Sequence, residues 1–168
     1  THSGARTWLS GEIARLLETY EVAWLKIDSN QPLGPDPGAA GLHFYYEQWY
    51  AILDELRQRF PGTFFENCAS GALRLEARAL RHSHGHFISD TAHPIDSIRI
   101  LQGTLLRLPP GSLYSWAVLR PAGPTIPQYG VPLSAAEQRV LVPCGATWER
   151  CETVDLDFAV TAAFLGIL

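Results

Sequence analysis

Methionine is absent from all 168 residues. Thr1 is therefore not expected to be a natural translation start; processing would explain this and so would a fragment, and both ends are read as cut. The closing run Ala163-Phe164-Leu165-Gly166-Ile167-Leu168, apolar and without a polar tail, favours the same reading. Cysteine is scarce. The three residues Cys68, Cys144 and Cys151 are an odd number in a chain that is neither short nor Cys-dense. That favours a reducing compartment, and a cytoplasmic location is the expectation. No apolar stretch is long enough to span a bilayer, and nothing resembles a signal peptide. Neither sign of charge is in excess. A net charge of -4 gives no reason to expect nucleic acid or an anionic membrane as partner. A glycine-rich phosphate loop is missing too, since Gly34, Gly38 and Gly41 fit neither the dinucleotide nor the P-loop spacing.

What is present suffices for one domain. Apolar residues make up 46% of the chain and five are Trp, enough for a sizeable core. Leu9, Ile13, Leu16, Leu17 and Tyr20 share one helical face, which predicts a helix over residues 5–20. A strand over 22–27 follows, ending at Asp28. The clearest helical stripe is Leu42, Tyr45, Tyr46, Trp49, Ile52, Leu53 and Leu56. Further strands are expected over 64–67, 86–89 and 113–119, with helices over 74–80 and 95–106. Residues 120–132, with four Pro, read as a loop. Ser134 and Glu137 have capping-box spacing and predict a helix start. Residues 154–168 hold helix and strand signals that the pattern does not separate. Strands alternating with helices imply parallel pairing through right-handed crossovers. An open doubly wound sheet and part of an eightfold barrel both suit this order. The barrel is favoured because reactive residues sit at the ends of several successive strands.

Those ends are the informative part. Three apolar runs close on polar clusters: Lys26-Ile27-Asp28-Ser29-Asn30, Asn67-Cys68-Ala69-Ser70-Gly71, and Ser89-Asp90-Thr91-Ala92-His93-Pro94. Two of them carry an aspartate, and two carboxylates on one substrate bond are what glycoside hydrolysis needs. Each residue also has a plainer reading. Asp28 with Lys26 suits a surface ion pair. Asp90 suits a helix cap before Pro94, with Thr91 as an alternative cap. Cys68 suits a buried small hydrophobe, or a thiol nucleophile if one of the nearby His served it. Arg74 suits a pair with Glu76 or Asp28. The alternating His82, His84 and His86 would share one face of a strand and suit zinc only weakly.

In this order the three clusters resemble family-36 glycoside hydrolases, the melibiase-type alpha-galactosidases. That family carries Lys-Trp-Asp-x-Asn on its fourth barrel strand, Asn-Cys-x-Ser-Gly-Gly-Gly-Arg after the fifth, and Ser-Asp-x-Thr-Asp-Pro around the sixth. A Gln-Tyr-Gly element follows in the family, where this chain has Leu101-Gln102-Gly103. The departures are Ile27 for an aromatic, Ala72 and Leu73 for glycines, and His93 for an acid. The resemblance implies an α/β fold, part of a (β/α)8 TIM barrel from roughly strand 4 to strand 8. Residues 1–168 would then be a partial catalytic barrel domain. It implies a retaining hydrolase of terminal alpha-galactosides, with Asp28 as nucleophile and Asp90 as acid/base. Lys26, Asn30, Cys68, Ser70, Gly71 and Arg74 would bind the sugar. No cofactor and no metal is implied. The implied partner is an alpha-galactoside oligosaccharide, and a homo-oligomer of the longer protein is compatible with it. An alpha-N-acetylgalactosaminidase-type relative and a catalytically defunct sugar-binding remnant are the alternatives.

Overall fold

The computed structural model describes residues 3–38, 40–122, 125–126, 131–132, 138–145 and 147–165. The chain divides between His86 and Phe87 into two units.

In the first unit, α1 (Ser3–Tyr20) buries Ala14 and Leu17 and half-buries Leu9 and Ile13. Leu16 and Tyr20, which the spacing assigned to the same stripe, are exposed. β1 (Trp24–Asp28) leads through a Pro- and Gly-rich loop to α2 (Ala40–Arg59), whose buried face is Tyr50, Ile52, Leu53 and Leu56. β2 (Phe64–Cys68) then pairs parallel to β1, with Trp24 opposite Phe64, Lys26 opposite Glu66 and Asp28 opposite Cys68. β3 (Gly85–Phe87) continues the parallel order, with Gly85 opposite Glu66 and His86 opposite Asn67. Because side chains alternate along a strand, one face of this sheet carries Leu25, Ile27 and Phe65 into a core with α1 and α2. The other face carries Trp24, Lys26 and Asp28 of β1 beside Phe64, Glu66 and Cys68 of β2. That second face is where the chemistry lies.

The expected helix over 74–80 is not formed. The segment is a series of turns ending in a single 3-10 turn, Ala79–Arg81. Side chains take over backbone bonding there: Glu76 accepts the Arg78 N–H at 2.7 Å and the Tyr50 hydroxyl at 2.5 Å.

In the second unit the end of β3 lies beside β4 (Leu113–Tyr114), with the Ile88 N–H donating to the Tyr114 carbonyl at 3.1 Å. Between them runs α3 (Pro94–Leu105), close to the helix read from sequence. β4 is two residues long where a strand over 113–119 was expected. Ser115 and Trp116 instead spend their polar atoms on the Ala163 and Thr91 carbonyls. The parallel alternation does not extend further. β5 (Arg120–Pro121), β6 (Thr125–Ile126), β7 (Val131–Pro132), β8 (Arg139–Pro143) and β9 (Cys151–Asp155) pair antiparallel, as a β5-β8-β9 sheet and a β6-β7 hairpin. β5, β6 and β7 lie within the stretch read as a loop. The capping-box pair Ser134 and Glu137 lies outside the described residues. The ambiguous C-terminal stretch resolves as β9 and then α4 (Leu156–Ala163), with the Asp155 carboxylate capping Asp157 and Phe158 at 2.9 and 3.2 Å. Val140, Val142 and Ala159 form the core of this sheet. No helix among the described residues is long and apolar enough to cross a membrane.

Candidate active site

The chemical face of β1 and β2 is built as three cross-strand pairs, one above the other. Trp24 and Phe64 stack at 4.4 Å between centroids, tilted by 35°. Next, the Lys26 ammonium lies 3.3 Å from a Glu66 carboxylate oxygen. At the C-terminal end the Cys68 thiol hydrogen-bonds to the Asp28 carboxylate. The ladder continues one step further, with the Ser29 N–H donating to the Cys68 carbonyl at 2.9 Å.

Beyond β2 the backbone turns sharply back. Ser70 has φ 45° and Gly71 φ 78°. The left-handed region suits Gly71, whereas for Ser70 it costs roughly 1 kcal/mol or more. The turn aims the Ser70 N–H at β1, where Asn30 Oδ1 accepts it at 2.6 Å and Asp28 Oδ1 at 3.2 Å. Burial acts to raise the Asp28 carboxyl. The Ser70 N–H, the Cys68 and Asn30 hydrogen bonds and the Lys26 charge outweigh it, and the net direction is down. Asp28 is also exposed. It is a solvent-accessible, ionised carboxylate held by donors on two strands.

Lys26, Asp28, Asn30, Cys68, Ser70 and Gly71 thus lie together at the C-terminal end of β1 and β2. Arg74 joins them differently. Its guanidinium donates to the Ser29 hydroxyl at 2.7 Å and to the Gln31 carbonyl, bracing the segment after Asp28 rather than pairing with Glu76 or Asp28. Of the readings open to Cys68, the buried small hydrophobe fits the structure: it is only 1% exposed, and burial pushes its thiol up to about 11. A thiol nucleophile is not the chemistry of this group. It is a free cysteine, as expected, and so are Cys144 and Cys151.

The three alternating histidines do not act as one set. His82 Nδ1 pairs with Asp54 at 2.9 Å while its ring stacks on Tyr50. His84 Nδ1 accepts the Phe65 N–H at 3.0 Å. His86 is fully buried beside Asn67, and burial lowers it to about 4. Among the described residues no group of three or more acids, His or Cys could hold a metal ion.

Asp90 belongs to the second unit, half-buried on the turn between β3 and α3. The cap readings fail. The N-cap of α3 is His93, without a side-chain cap bond, and the Thr91 N–H donates to the Ser89 hydroxyl at 3.1 Å. Asp90 is therefore not spent on the helix. The turn is pinned elsewhere. The Thr91 carbonyl accepts the Trp116 indole N–H at 3.0 Å and the Ser97 hydroxyl at 3.4 Å, and His93 Nε2 lies 3.1 Å from Glu152 on β9.

Sequence reasoning passed over Glu66, Trp24 and Glu152. Glu66 had a readable signal, because it precedes Cys68 by two residues and so shares its face. Glu152 had none, since β9 was not legible as a strand.

The Melibiase family model matches residues 3–125. Alpha-galactosidase C of Emericella nidulans is 32% identical over 98 residues, covering 58% of this chain and 13% of the relative. The chain thus spans only a small part of the curated relative's length. The galactosidase domain of the alpha-galactosidase-sucrose kinase AgaSK superposes with a TM-score of 0.73 at 19% identity, covering 98% of this chain and 20% of that one. A substituted GH36 alpha-galactosidase AgaA from Geobacillus stearothermophilus, solved in complex with raffinose, superposes at 0.60 with 21% identity, over 68% of this chain and 17% of that one. The fold is α/β and part of a (β/α)8 barrel.

Proposed function

The chain belongs to the Melibiase family, and from that premise we propose that it forms part of the catalytic barrel of a retaining alpha-galactosidase. The residues supply a double displacement. An Asp28 oxygen attacks the anomeric carbon, and the bond to the leaving oxygen breaks as Asp90 donates its proton there. A galactosyl ester on Asp28 results. Asp90, now a carboxylate, takes a proton from water. The water oxygen bonds to the anomeric carbon, and Asp28 leaves as the free carboxylate. The product keeps the alpha configuration because the carbon is inverted twice.

The observation that carries this reading is the state of Asp28. It is exposed yet held ionised by the Ser70 N–H, Cys68, Asn30 and Lys26. That is what a carboxylate nucleophile requires, and a lone surface aspartate does not need four such partners. Lys26 and the Asn30 amide nitrogen are donors for sugar hydroxyls. Ser70 and Gly71 shape the turn against which the sugar rests. Cys68, bonded to Asp28, and Arg74, bracing Ser29 and Gln31, support the segment that carries the carboxylate. The substrate class is a terminal alpha-galactoside oligosaccharide of the raffinose kind, by analogy with the AgaA complex. No cofactor takes part. Three free cysteines favour a reducing, cytoplasmic setting.

The test is to incubate the whole protein carrying this chain with a slow 2-fluorogalactosyl substrate and map the adduct by peptide mass spectrometry. A galactosyl ester on Asp28 is expected. An adduct on another residue, or galactoside turnover unchanged in Asp28→Asn, overturns the proposal.

A further inference from the structure

We propose that Glu66 is a positioning residue for this reaction, holding the Lys26 ammonium away from Asp28 so that Asp28 stays a free nucleophile. The inference rests on the reading of Asp28 and Lys26 given above. Glu66 is a charged residue in a buried place, with its side chain 7% exposed. Both its oxygens are engaged: Oε2 accepts the Trp24 indole N–H at 2.8 Å, and Oε1 lies 3.3 Å from Lys26 Nζ. A carboxylate so placed is costly to desolvate, and an apolar side chain of similar volume would pack there at less cost. Its presence therefore asks for a reason other than stability.

Position supplies one. Successive residues on one face of a strand are about 6.5–7 Å apart. Lys26 lies between two carboxylates, with Glu66 directly across on β2 and Asp28 one step along its own strand. Its four-carbon stem can serve either. Paired closely with Asp28, the ammonium would neutralise the attacking oxygen and occupy the space where the anomeric carbon must arrive. Paired with Glu66, it stays on the β2 side and still favours ionised Asp28 through space. The surroundings add little competing charge. Gly85, opposite Glu66 on β3, has no side chain, Phe64 and Trp24 are uncharged, the Cys68 thiol is neutral, and Arg74 is committed to Ser29 and Gln31. The pair is thus a charge relay of fixed sense, in which Glu66 holds Lys26 and Lys26 sets the field at Asp28.

The experiment uses Glu66→Gln in the whole protein, which keeps an acceptor for the Trp24 indole and deletes only the charge. Lys26 should swing to Asp28. The acid limb of kcat/KM should then move to lower pH, because a closer cation favours the carboxylate. The rate at neutral pH should fall on the order of tenfold, because the carboxylate is tied up. In a Lys26→Met background the Glu66→Gln substitution should move neither. Glu66→Asp, which keeps the charge, should retain the wild-type acid limb. It covers the case in which Glu66→Gln does not fold. An unmoved limb in Glu66→Gln, an undiminished effect in the Lys26→Met background, or a Glu66→Asp limb displaced like that of Gln overturns the proposal. Amine acylation of Lys26, followed by peptide mass spectrometry, separates the two readings. If the wild-type protein cleaves no alpha-galactoside but Glu66→Gln still changes Lys26 acylation severalfold, the glycosidase reading fails while the hold of Glu66 on Lys26 is upheld. If the wild type is active and neither readout responds, the positioning role fails alone.

Discussion

The two aspartates proposed for catalysis are held by different means in the two units. Asp28 ends a strand paired in register along its whole length with β2, and its partners come from its own strand and the segment just after it, from the next strand, and from the turn after that. Asp90 sits on a turn pinned by single side-chain contacts, near and distant in sequence: the Ser97 hydroxyl, the Trp116 indole, and the His93–Glu152 contact with β9. A backbone ladder gives many small, redundant constraints, whereas side-chain pins are few and each can be removed singly. Nucleophilic attack needs the more rigid mounting, because its reacting atoms must sit in near-attack geometry. A proton donor tolerates more slack, since activated leaving groups depart without it.

The sharpest way to break this comparison is to remove each acid in the whole protein. Asp28→Asn should lower kcat on every alpha-galactoside by at least ~10⁴-fold, as loss of a covalent nucleophile does elsewhere. Asp90→Ala should cost about 10²–10⁴-fold on oligosaccharides, the ordinary worth of a general acid/base. On activated aryl galactosides its first step should survive and its second should slow. Azide should rescue both variants with opposite stereochemistry: inverted galactosyl azide from the Asp28 variant, and retained from the Asp90 variant. Chiral product analysis that gives the reverse pattern exchanges the two roles.

The packing beneath the site allows the same comparison in stability. Phe65 is wholly buried beneath the β1–β2 sheet, in a cluster with Leu53 and Leu56. Phe65→Ala should cost on the order of 3–5 kcal/mol. Val142, 1% exposed, packs against Val140 and Ala159 in the smaller core of the second unit. Val142→Ala removes two methyl groups and should cost about 1.5 kcal/mol. Urea denaturation midpoints measure both. Equal losses would mean that the smaller cluster is as tightly coupled as the larger one.

These contrasts also explain what the sequence made legible. β1 and β2 could be read because short apolar runs and the polar clusters that close them are local signals. Lys26, Asp28 and Cys68 fall on one face by counting alone. The segment 74–80 has helical composition but does not form a helix, because Glu76 is held by the Tyr50 hydroxyl from a helix more than twenty residues earlier and takes the Arg78 N–H within the turn. The shortness of β4 was hidden for the same reason, with Trp116 and Ser115 bonded to Thr91 and Ala163. Asp155 is different. A capping aspartate before an apolar helix is a local signal and was available. It was obscured by β9, which ends at the same residue and is mostly exposed, without clean alternation.

A buried imidazole gives the first unit its own pH dependence. His86 has no exposure, and burial, opposed by the charge of Glu76, lowers it from the usual value to about 4. In the unfolded chain it takes up its proton near pH 6.5, well before the folded form does. Between those two values the unfolded state binds more protons, so stability falls as pH drops from ~6.5 to ~4. The full loss is about 3 kcal/mol as an upper bound. Urea midpoints measured across this window should decline in the wild type and flatten in His86→Leu. A wild-type profile flat through the window would mean that the ring charges within the fold.

The smallest effect concerns the thiols, and it separates the two units once more. Cys68 in the first unit is buried and pushed up to about 11, while Cys144 and Cys151 in the second are exposed. Only the thiolate attacks iodoacetamide. Near neutral pH a thiol at 11 presents roughly 300-fold less thiolate than an ordinary one, and burial slows access further. Peptide mass spectrometry after brief treatment should find Cys144 and Cys151 alkylated and Cys68 unmodified. Asp28→Asn should change this modestly, because the Cys68 thiol donates to that carboxylate and the negative charge beside it opposes a second one. Removing the charge should speed Cys68 labelling a few-fold without making it the fastest site. Cys68 labelling as fast as Cys151 in the wild type would mean that the face bearing Asp28 opens readily to solvent at its base. The register of β1 on β2 would then no longer explain how the carboxylate is held.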